Sequence, residues 1–214
     1  MSNPLIIVGA SGFGKEVAWL AKRLDIKILG FLDDNKSLTG EFFYNYPVLG
    51  LINDWVNYPN VDFALAIASP RIRKLIVNKM LLAGMPKFTI LIDPSVEIDK
   101  EETEIGKGSI ICAGSICTAN VRIGNFSIIN KQCSIGHDVI INDFCTVAPK
   151  AMLGGHVHLH DGVEVGASSC IRQQLTIEKG ANIGMGSVVV KPVEANALYL
   201  GAPAKKVKVL ELFY

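Results

Sequence analysis

Aliphatic residues recur at every sixth position over a long stretch of the chain, from Ile105 to Glu194. A smaller residue, usually Ser, Ala, Val or Cys, stands four positions after each aliphatic residue, and glycine often follows the aliphatic residue directly. A six-residue step drifts around a helix of 3.6 residues per turn, so no helical face can collect these side chains. Hexads of this kind predict a parallel β-helix, in which each hexad is one short strand followed by a corner.

Three hexads complete one coil of the predicted prism, so residues n and n+18 stack in successive coils. The first position of each hexad points towards the axis, and the fifth is small because it lies near a corner. Stacked strands hydrogen-bond about 4.8 Å apart. An imperfect opening coil precedes the regular array, and one extra residue interrupts the six-residue step between Ile98 and Ile105. The segment GAPAKKVK and a short hydrophobic tail end the chain.

The residues before this array alternate between strand and helix patterns. Leu5 to Val8 predicts a strand, and GASGFGKE leads from it into a helical pattern. Further predicted elements are strands at 28–32, 63–68 and 88–91, a helix at 71–83 and a loop at 40–58. The alternation predicts a small parallel α/β sheet. We therefore divide the chain into a Rossmann-like nucleotide-binding domain, residues 1–92, and a β-helix domain with a C-terminal cap, residues 93–214.

Composition and charge exclude several classes of partner. Half of the 214 residues are hydrophobic and the formal net charge is +1, so the chain lacks the basic surface that nucleic acids or anionic membranes require. No apolar run approaches membrane length, and the N-terminus does not resemble a signal peptide. These features predict a cytoplasmic protein without membrane insertion. All five cysteines lie in the hexads, and Cys117, Cys133 and Cys145 take inward or small-residue positions, which predicts that these three are reduced packing residues.

The glycine-rich turn after the first strand is the first candidate site. Gly9, Gly12 and Gly14 form the pattern GxxGxG, which can direct backbone N–H groups and a helix N-terminus at a phosphate. Asp33, after the second strand, stands where a ribose hydroxyl acceptor usually lies. The alternative is that the glycines only allow strand and helix to pack closely. The domain has the size of one mononucleotide-binding half, so a nucleotide monophosphate or a nucleotide-sugar fits it better than NAD.

His137 in the segment SIGHD is the second candidate site. It is third in its hexad and is predicted to point outward near a corner, between the small residues Ala119 and Gly155 on the neighbouring coils. Asp138 could orient the imidazole, hold one tautomer and raise its basicity. The alternative is a surface histidine without a role.

Three further histidines, His156, His158 and His160, alternate in the segment HVHLH. A period of two could place them on one side of a strand as a metal trio, which suggests the β-helical carbonic anhydrases. Their spacings differ from the pattern of those enzymes, and Zn²⁺ requires convergent, oriented ligands. We therefore predict no metal site. By the 18-residue rule, Asp138 stacks against Asn120 and His156.

Together the hexads, GASGFGKE, IGHD and GAPAK resemble the sugar O-/N-acyltransferases of the sialic acid O-acetyltransferase family. The resemblance covers essentially the whole chain and is strongest to bacterial enzymes that N-acetylate a UDP-4-amino-sugar for surface glycan biosynthesis. It implies a homotrimer, a left-handed β-helix, and acetyl-CoA bound as co-substrate between adjacent prisms. The other implied partner is a nucleotide-activated amino-sugar.

The resemblance also assigns individual residues. His137 matches the catalytic base and Asp138 its acidic neighbour. Nucleotide-sugar positions are Ser11, Gly12, Phe13, Asp33, Asp34, Gly50 and Asn130, and cofactor positions are Thr146, Gly155, Ala167 and Met185. Phe13 and Thr146 stand where relatives commonly carry His, so one substrate contact and one cofactor contact are expected to differ.

The chemistry predicts direct attack in a ternary complex, with His137 as base and the Gly155 N–H facing the oxyanion. Cys133 and Cys145 are predicted to face the interior, so no covalent cysteine route is expected. Two alternatives remain open: O-acetylation of sialic acid or a related sugar, and a non-catalytic nucleotide-sugar sensor. Apolar residues predicted on the outer faces favour a trimer, namely Ile110, Ile116, Ile128, Ile140 and Met152.

Overall fold

The structure, a computed structural model, describes residues 3–214. Up to Phe88 the chain folds into one six-stranded sheet with helices on both faces. Its elements are β1 (Leu5–Val8), α1 (Gly12–Arg23), β2 (Ile28–Leu32), a 3₁₀ helix (Lys36–Leu38), β3 (Phe42–Phe43), β4 (Tyr46–Gly50), a second 3₁₀ helix (Ile52–Asn57), β5 (Asp62–Leu65), α2 (Pro70–Ala83) and β6 (Lys87–Phe88).

The sheet has the strand order β3-β4-β2-β1-β5-β6 and is parallel except between β3 and β4. All four residues of β1 are buried. They are buried because α1 packs on the face of Leu5 and Ile7, whereas α2 packs on the face of Ile6 and Val8. The predicted α/β sheet is thus confirmed, with β1 and β2 at the predicted residues.

Two local predictions in this region were wrong. Residues 40–58 are not simply a loop, because β4 pairs in parallel with β2 and a 3₁₀ helix follows it. Gly30 lets β4 approach β2, since a Cβ at Gly30 would lie 2.4 Å from the Pro47 carbonyl oxygen. The strand predicted at 88–91 is divided: Phe88 ends β6, and Leu91 begins a strand that pairs with the β-helix.

From Leu91 onward the chain forms a parallel β-helix built of two-residue strands. They are β7 (Leu91–Ile92), β8 (Glu97–Ile98), β9 (Glu104–Ile105), β10 (Ile110–Ile111), β11 (Ile116–Cys117), β12 (Arg122–Ile123), β13 (Ile128–Ile129), β14 (Ser134–Ile135), β15 (Ile140–Ile141), β16 (Thr146–Val147), β17 (Met152–Leu153), β18 (His158–Leu159), β19 (Glu164–Val165), β20 (Cys170–Ile171), β21 (Thr176–Ile177), β22 (Asn182–Ile183) and β23 (Val188–Val189). The longer strands β24 (Ala197–Leu200) and β25 (Lys205–Val209) close the array.

These strands form three walls. The first wall runs from β7 through β10, β13, β16, β19 and β22 to β24 and β25; the second contains β8, β11, β14, β17, β20 and β23; the third contains β9, β12, β15, β18 and β21. Within the regular array, pairing follows the predicted 18-residue rule, as between Ile110 and Ile128. In the opening coil Ile98 pairs with Cys117, 19 positions later, because of the extra residue in that coil.

The first and fifth hexad positions fill the axis, as predicted. The corners show a feature that the hexad pattern did not predict. The fourth residue of each hexad, from Gly108 to Gly186, has a positive φ. Gly, Asn and Asp adopt this left-handed conformation readily, whereas large side chains disfavour it. Phe126 and Phe144 nevertheless occupy two such corners, because their rings stack 5.2 Å apart in a cluster shared with the α/β domain.

The α/β domain covers the outer face of the first wall. Ile110 and Ile128 are buried there, in a cluster with residues of α1. The prediction that both are outward apolar residues available to other copies was therefore wrong, because this chain already covers them. A bidentate ion pair supports the contact, with Arg23 Nε 2.6 Å and Nη2 2.9 Å from the carboxylate oxygens of Asp93.

Arg73 of α2 joins the two parts of the chain from a fully buried position. Its guanidinium donates hydrogen bonds to the carbonyl oxygens of Ile67, Ala68, Phe126, Phe144 and Cys145. Burial lowers the pKa of Arg73 to about 10. The guanidinium thus holds the segment after β5 against a corner of the prism.

Candidate functional site

The predicted nucleotide-binding residues begin where β1 and β2 end. Asp33, directly after β2, accepts hydrogen bonds from the N–H groups of Ala10 (2.7 Å) and Asn35 (2.8 Å). Its carboxylate therefore holds the glycine-rich turn against the sheet. Ser11 precedes α1, is exposed and makes no capping hydrogen bond with its side chain. The first turn of α1 carries no acidic residue, so its positive end can attract an anion.

The three glycines of the turn have different roles. Gly9 has a φ of 109°, and a Cβ there would lie 3.0 Å from the Ala66 carbonyl oxygen. A Cβ at Gly14 would meet the Gly9 carbonyl oxygen at 2.3 Å, so Gly14 allows helix and strand to pack closely. A Cβ at Gly12 would meet nothing within 4 Å. Of these three glycines, Gly9 has a positive φ, whereas Gly12 and Gly14 lie in α1.

An open cavity of about 370 Å³ adjoins Asp33. Its lining combines two carboxylates, one ammonium group and an aliphatic wall: Asp33, Asp34, Ile52, Ile67, Ile72, Leu75, Ile76 and Lys79. Asp34 accepts a hydrogen bond from the Ile52 N–H (3.1 Å), and its other oxygen lies 3.5 Å from Lys79 Nζ. Such a cavity offers apolar contact to a flat ring and polar partners to its edge.

The remaining predicted substrate residues are spread over both parts of the chain. Phe13 packs against the cluster around α1, and Gly50 ends β4 with a φ of 153°. Asn130 lies in the β-helix, at the corner that follows the first-wall strand β13. Its neighbour Lys131 forms an ion pair with Glu16 of α1, which brings this corner close to the helix that begins at the glycine-rich turn.

His137 and Asp138 occupy the corner between the second and third walls. His137 Nδ1 lies 2.7 Å from Asp138 Oδ2, and Asp138 Oδ1 accepts a hydrogen bond from Asn120 Nδ2 (2.8 Å). The hydrogen bonds from His137 and Asn120 hold the pKa of Asp138 below its usual value. A charged carboxylate at Nδ1 keeps the ring proton there, so the lone pair is on Nε2. The His137 side chain is 60% exposed, which leaves Nε2 open to a substrate.

Gly155, one coil further along, supplies the space beside this ring. A Cβ at Gly155 would lie 2.6 Å from His137 Nε2 and 2.6 Å from Cε1. Within residues 3–214 the Gly155 N–H makes no hydrogen bond, although its carbonyl accepts one from Gln174. An accessible base and a free backbone donor are therefore adjacent, as acyl transfer requires.

Comparison with known proteins identifies the family of the chain. Residues 4–80 match the family described as PglD N-terminal domain. GDP-perosamine N-acetyltransferase of Escherichia coli O157:H7 is 34% identical over 216 residues, which cover 94% of this chain and 95% of that protein. The chain belongs to the PglD-type family of sugar N-acetyltransferases.

Two solved structures show the same whole-chain similarity. The acetyltransferase domain of PglB from Neisseria gonorrhoeae FA1090, in complex with acetyl coenzyme A, is 29% identical with a TM-score of 0.89, covering 97% of this chain and 100% of that one. WeeI from Acinetobacter baumannii AYE is 33% identical with a TM-score of 0.86, covering 95% and 99%. These similarities confirm the fold class, an α/β domain followed by a left-handed parallel β-helix. The finer resemblance to sialic acid O-acetyltransferases receives no specific support.

For a sugar N-acetyltransferase that uses acetyl-CoA, the predicted cofactor residues fall into two groups. Gly155 adjoins His137, whereas Ala167 and Met185 lie at the other edge of the second wall, at corners that follow first-wall strands. Met185 is 79% exposed. The two groups thus lie at opposite edges of one wall.

The prediction that Thr146 contacts the cofactor was wrong. Thr146 lies on the first wall beneath the α/β domain and is 4% exposed. Its hydroxyl donates a hydrogen bond to the Ala68 carbonyl oxygen (2.7 Å) and accepts one from Arg73 (3.0 Å). It therefore belongs to the contact between the two parts of the chain. The sequence hides this because hexad position alone does not say which wall another domain covers.

Cys117, Cys133 and Cys145 are packing residues, as predicted. Cys133 and Cys145 are buried, and burial raises the pKa of the Cys133 thiol to about 11 and that of Cys145 to about 12. A buried, protonated thiol is a poor nucleophile, which favours direct transfer between the two substrates.

The histidines of the HVHLH segment separate into two places. His158 and His160 stack with ring centroids 4.2 Å apart on the third wall, and His158 Nε2 lies 3.1 Å from Asn142 Oδ1. His156 lies instead at the corner of His137, with the two ring centroids 5.1 Å apart.

Within residues 3–214, neither of the two helices has the length and apolar character needed to cross a membrane.

Proposed function

We propose that this acetyltransferase transfers the acetyl group of acetyl-CoA to the amino group of a nucleotide-linked amino-sugar used for bacterial surface glycans. The observation that carries the proposal is the His137–Asp138 pair beside Gly155, an accessible base next to a free backbone N–H. The whole-chain similarity to a GDP-perosamine N-acetyltransferase supports an amine as acceptor.

The proposed reaction is a direct displacement. The sugar amine attacks the thioester carbonyl carbon while His137 Nε2 accepts a proton from the nitrogen. The Gly155 N–H donates a hydrogen bond to the oxyanion that forms. The C–S bond then breaks, and the CoA thiolate takes the proton from His137. Asp138 stabilises the imidazolium between these steps, because its carboxylate accepts a hydrogen bond from Nδ1–H.

The nucleotide is the finer part of the proposal. Sequence resemblance favoured a UDP-linked 4-amino-sugar, whereas the E. coli relative is named for a GDP-linked one. We take GDP-perosamine as the first acceptor to test and a UDP-4-amino-sugar as the second. The cavity at Asp33 and Asp34 would hold the nucleoside, and the open N-terminus of α1 would hold the diphosphate.

The test is incubation of the protein with acetyl-CoA and a panel of GDP-, UDP-, dTDP- and CMP-sugars. The release of free CoA thiol is the measurement. We expect thiol release with an amino-sugar nucleotide and none with the same sugar lacking the amine. Release with sialic acid or a CMP-sugar hydroxyl acceptor would favour O-acetylation instead. Tight acetyl-CoA binding without turnover across the panel would favour a sensor.

We also propose that the active form is a homotrimer. The second wall carries exposed apolar side chains stacked along one line, Ile116 (42% exposed), Met152 (38%) and Val188 (39%). Gly155 and Met185 stand at opposite edges of this wall. A three-fold arrangement that buries the wall would bring the His137 edge of one copy beside the Met185 edge of the next. Light scattering should give three times the 23.1 kDa chain mass; a monomer at micromolar concentration would refute the assembly.

A further inference from the structure

The corner of the catalytic pair also brings together ligand atoms that suit a transition metal. His137, Asp138 and His156 each offer one nitrogen or oxygen atom, and these atoms lie within 4.8 Å of one another. Asp138 Oδ2 lies 2.7 Å from His137 Nδ1 and 3.5 Å from His156 Nε2. Two imidazoles and one carboxylate form a ligand set that Zn²⁺ and Co²⁺ accept.

The backbone holds these residues in fixed positions. Asp138 and His156 stand 18 residues apart, at the same corner of successive coils, with φ values of 58° and 58°. The His156 N–H donates a hydrogen bond to the His137 carbonyl oxygen (2.9 Å), and Asn120 holds the second oxygen of Asp138. The side chains are 60%, 34% and 54% exposed, so an ion can reach them and small rotations can complete the coordination.

The spacing of the three histidines in HVHLH predicted no metal site, but His156 lies beside the His137–Asp138 pair rather than with His158 and His160. We propose that His137, Asp138 and His156 form an inhibitory site for Zn²⁺ and similar divalent transition metals. This inference rests on the proposed function, because His137 and Asp138 are also the proposed catalytic pair. The ion takes the lone pair of His137 Nδ1, so the ring proton moves to Nε2. An Nε2 that carries a proton cannot accept another from the acceptor amine. Metal occupancy and catalysis are therefore mutually exclusive.

Metal binding is measured first, without either substrate. The metal-free full-length protein is titrated with Co²⁺ and Zn²⁺ by calorimetry, with Co²⁺ absorption as a second readout. We expect one ion per chain and a d–d spectrum of nitrogen and oxygen ligands. A thiolate-to-cobalt charge-transfer band would assign the ion to a cysteine such as the half-buried Cys170 and overturn the proposal.

Two matched variants locate the ion. His156→Ala removes one ligand, and we expect it to weaken Zn²⁺ binding about tenfold or more. His160→Ala removes a histidine of the same segment that lies outside the group of three, near Glu178 (3.9 Å). We expect it to leave the affinity unchanged. Equal weakening in both variants, or in neither, would overturn the assignment.

Inhibition is measured on the active enzyme, with each variant compared with its own metal-free rate. Zn²⁺ should inhibit the unaltered enzyme and the His160→Ala variant at the same concentration. His156→Ala should require about tenfold more Zn²⁺. Activation by Zn²⁺, or inhibition that ignores His156, would refute the inhibitory site. Failure of the acetyl-transfer proposal would instead appear as no turnover in any metal-free sample, while the binding data would still test the site.

Discussion

His137 and Gly155 show how single residues set the chemistry. The exposed imidazole is oriented by Asp138 on one side and left accessible by a missing side chain on the other. Neither feature belongs to the core of the chain, since the His137 side chain is exposed in the single chain. The two residues therefore admit tests in which the fold stays intact and only the rate changes.

We expect His137→Ala to lower kcat by about 10²-fold or more, the usual effect of losing a general base. The Kd for acetyl-CoA, measured by calorimetry, should change little, because the ring is assigned to proton transfer. Near-normal turnover in a folded variant would contradict the role of His137.

Gly155→Ala tests the space beside the base. The new Cβ would lie 2.6 Å from the His137 ring, so the ring must move, and we expect kcat to fall about 10- to 10²-fold. A kcat equal to that of the unaltered protein would show that the ring accommodates the methyl group without loss.

Among the elements, α1 has different roles at its two ends, one in the proposed substrate binding and one in the structure. Its N-terminus faces the proposed diphosphate, and its C-terminal residue Arg23 is bound to Asp93 of the opening coil. Gly14, in the first turn of α1, allows the helix to pack closely against the end of β1, because it has no Cβ that would meet the Gly9 carbonyl oxygen. The helix thus links substrate binding to the position of the α/β domain on the prism.

Gly12→Val and Gly14→Val should separate these roles. Gly12→Val should raise the KM for the nucleotide-sugar and leave the KM for acetyl-CoA and the thermal unfolding temperature nearly constant. Gly14→Val should lower the unfolding temperature, because its Cβ meets a backbone oxygen at 2.3 Å. A Gly12→Val variant with an unchanged KM for the nucleotide-sugar would show that the turn serves packing alone.

The Arg23–Asp93 pair predicts an acid-dependent stability. Burial raises the pKa of Asp93, but hydrogen bonds from Arg23 and Ser95 outweigh it, so the pKa lies below 3.8. A lowered pKa in the folded state stabilises the protein above pH 3.8 and loses this contribution as the pH falls towards the folded-state value. In urea unfolding, the difference between the unaltered protein and Asp93→Asn should therefore be constant near neutral pH and shrink below about pH 4. A difference that grows on acidification would contradict the pairing.

At the scale of the whole molecule, Arg73 joins the nucleotide-binding part to the prism. Five carbonyl oxygens depend on its guanidinium, and Ile67, one of its partners, lines the proposed nucleoside cavity. The relative position of the two proposed substrate sites therefore depends on a residue that we assign to neither of them.

We expect Arg73→Met to destabilise the protein by about 3 kcal/mol, since it leaves buried carbonyl groups without donors. Arg73→Lys keeps the charge but has fewer hydrogen-bond donors. It should therefore unfold at a urea concentration between those of the unaltered protein and Arg73→Met. In the Lys variant the KM for the nucleotide-sugar should rise more than the KM for acetyl-CoA. Equal changes in both KM values would indicate a general loss of structure.

The hexad pattern was enough to predict the prism and the residues that surround His137. A strict six-residue period fixes which residues reach the axis, and the 18-residue rule placed Ala119, Gly155 and His156 around the His137–Asp138 pair. The axial core and these corner contacts follow from local repetition, because each strand pairs with the next coil in a constant register. Strands β1 and β2 could also be predicted from the sequence, because a strand buried on both faces is a continuous apolar run.

The hexad pattern does not indicate which wall the α/β domain covers. Identical hexad positions have opposite environments on different walls: Ile128 and Thr146 are buried beneath that domain, while Met152 is exposed on the second wall. The contact of α2 with the prism depends on Arg73, which no period in the sequence marks. Docking of two parts depends on shape and on buried hydrogen bonds between residues far apart in the chain, and a repeat describes only neighbours in its own array.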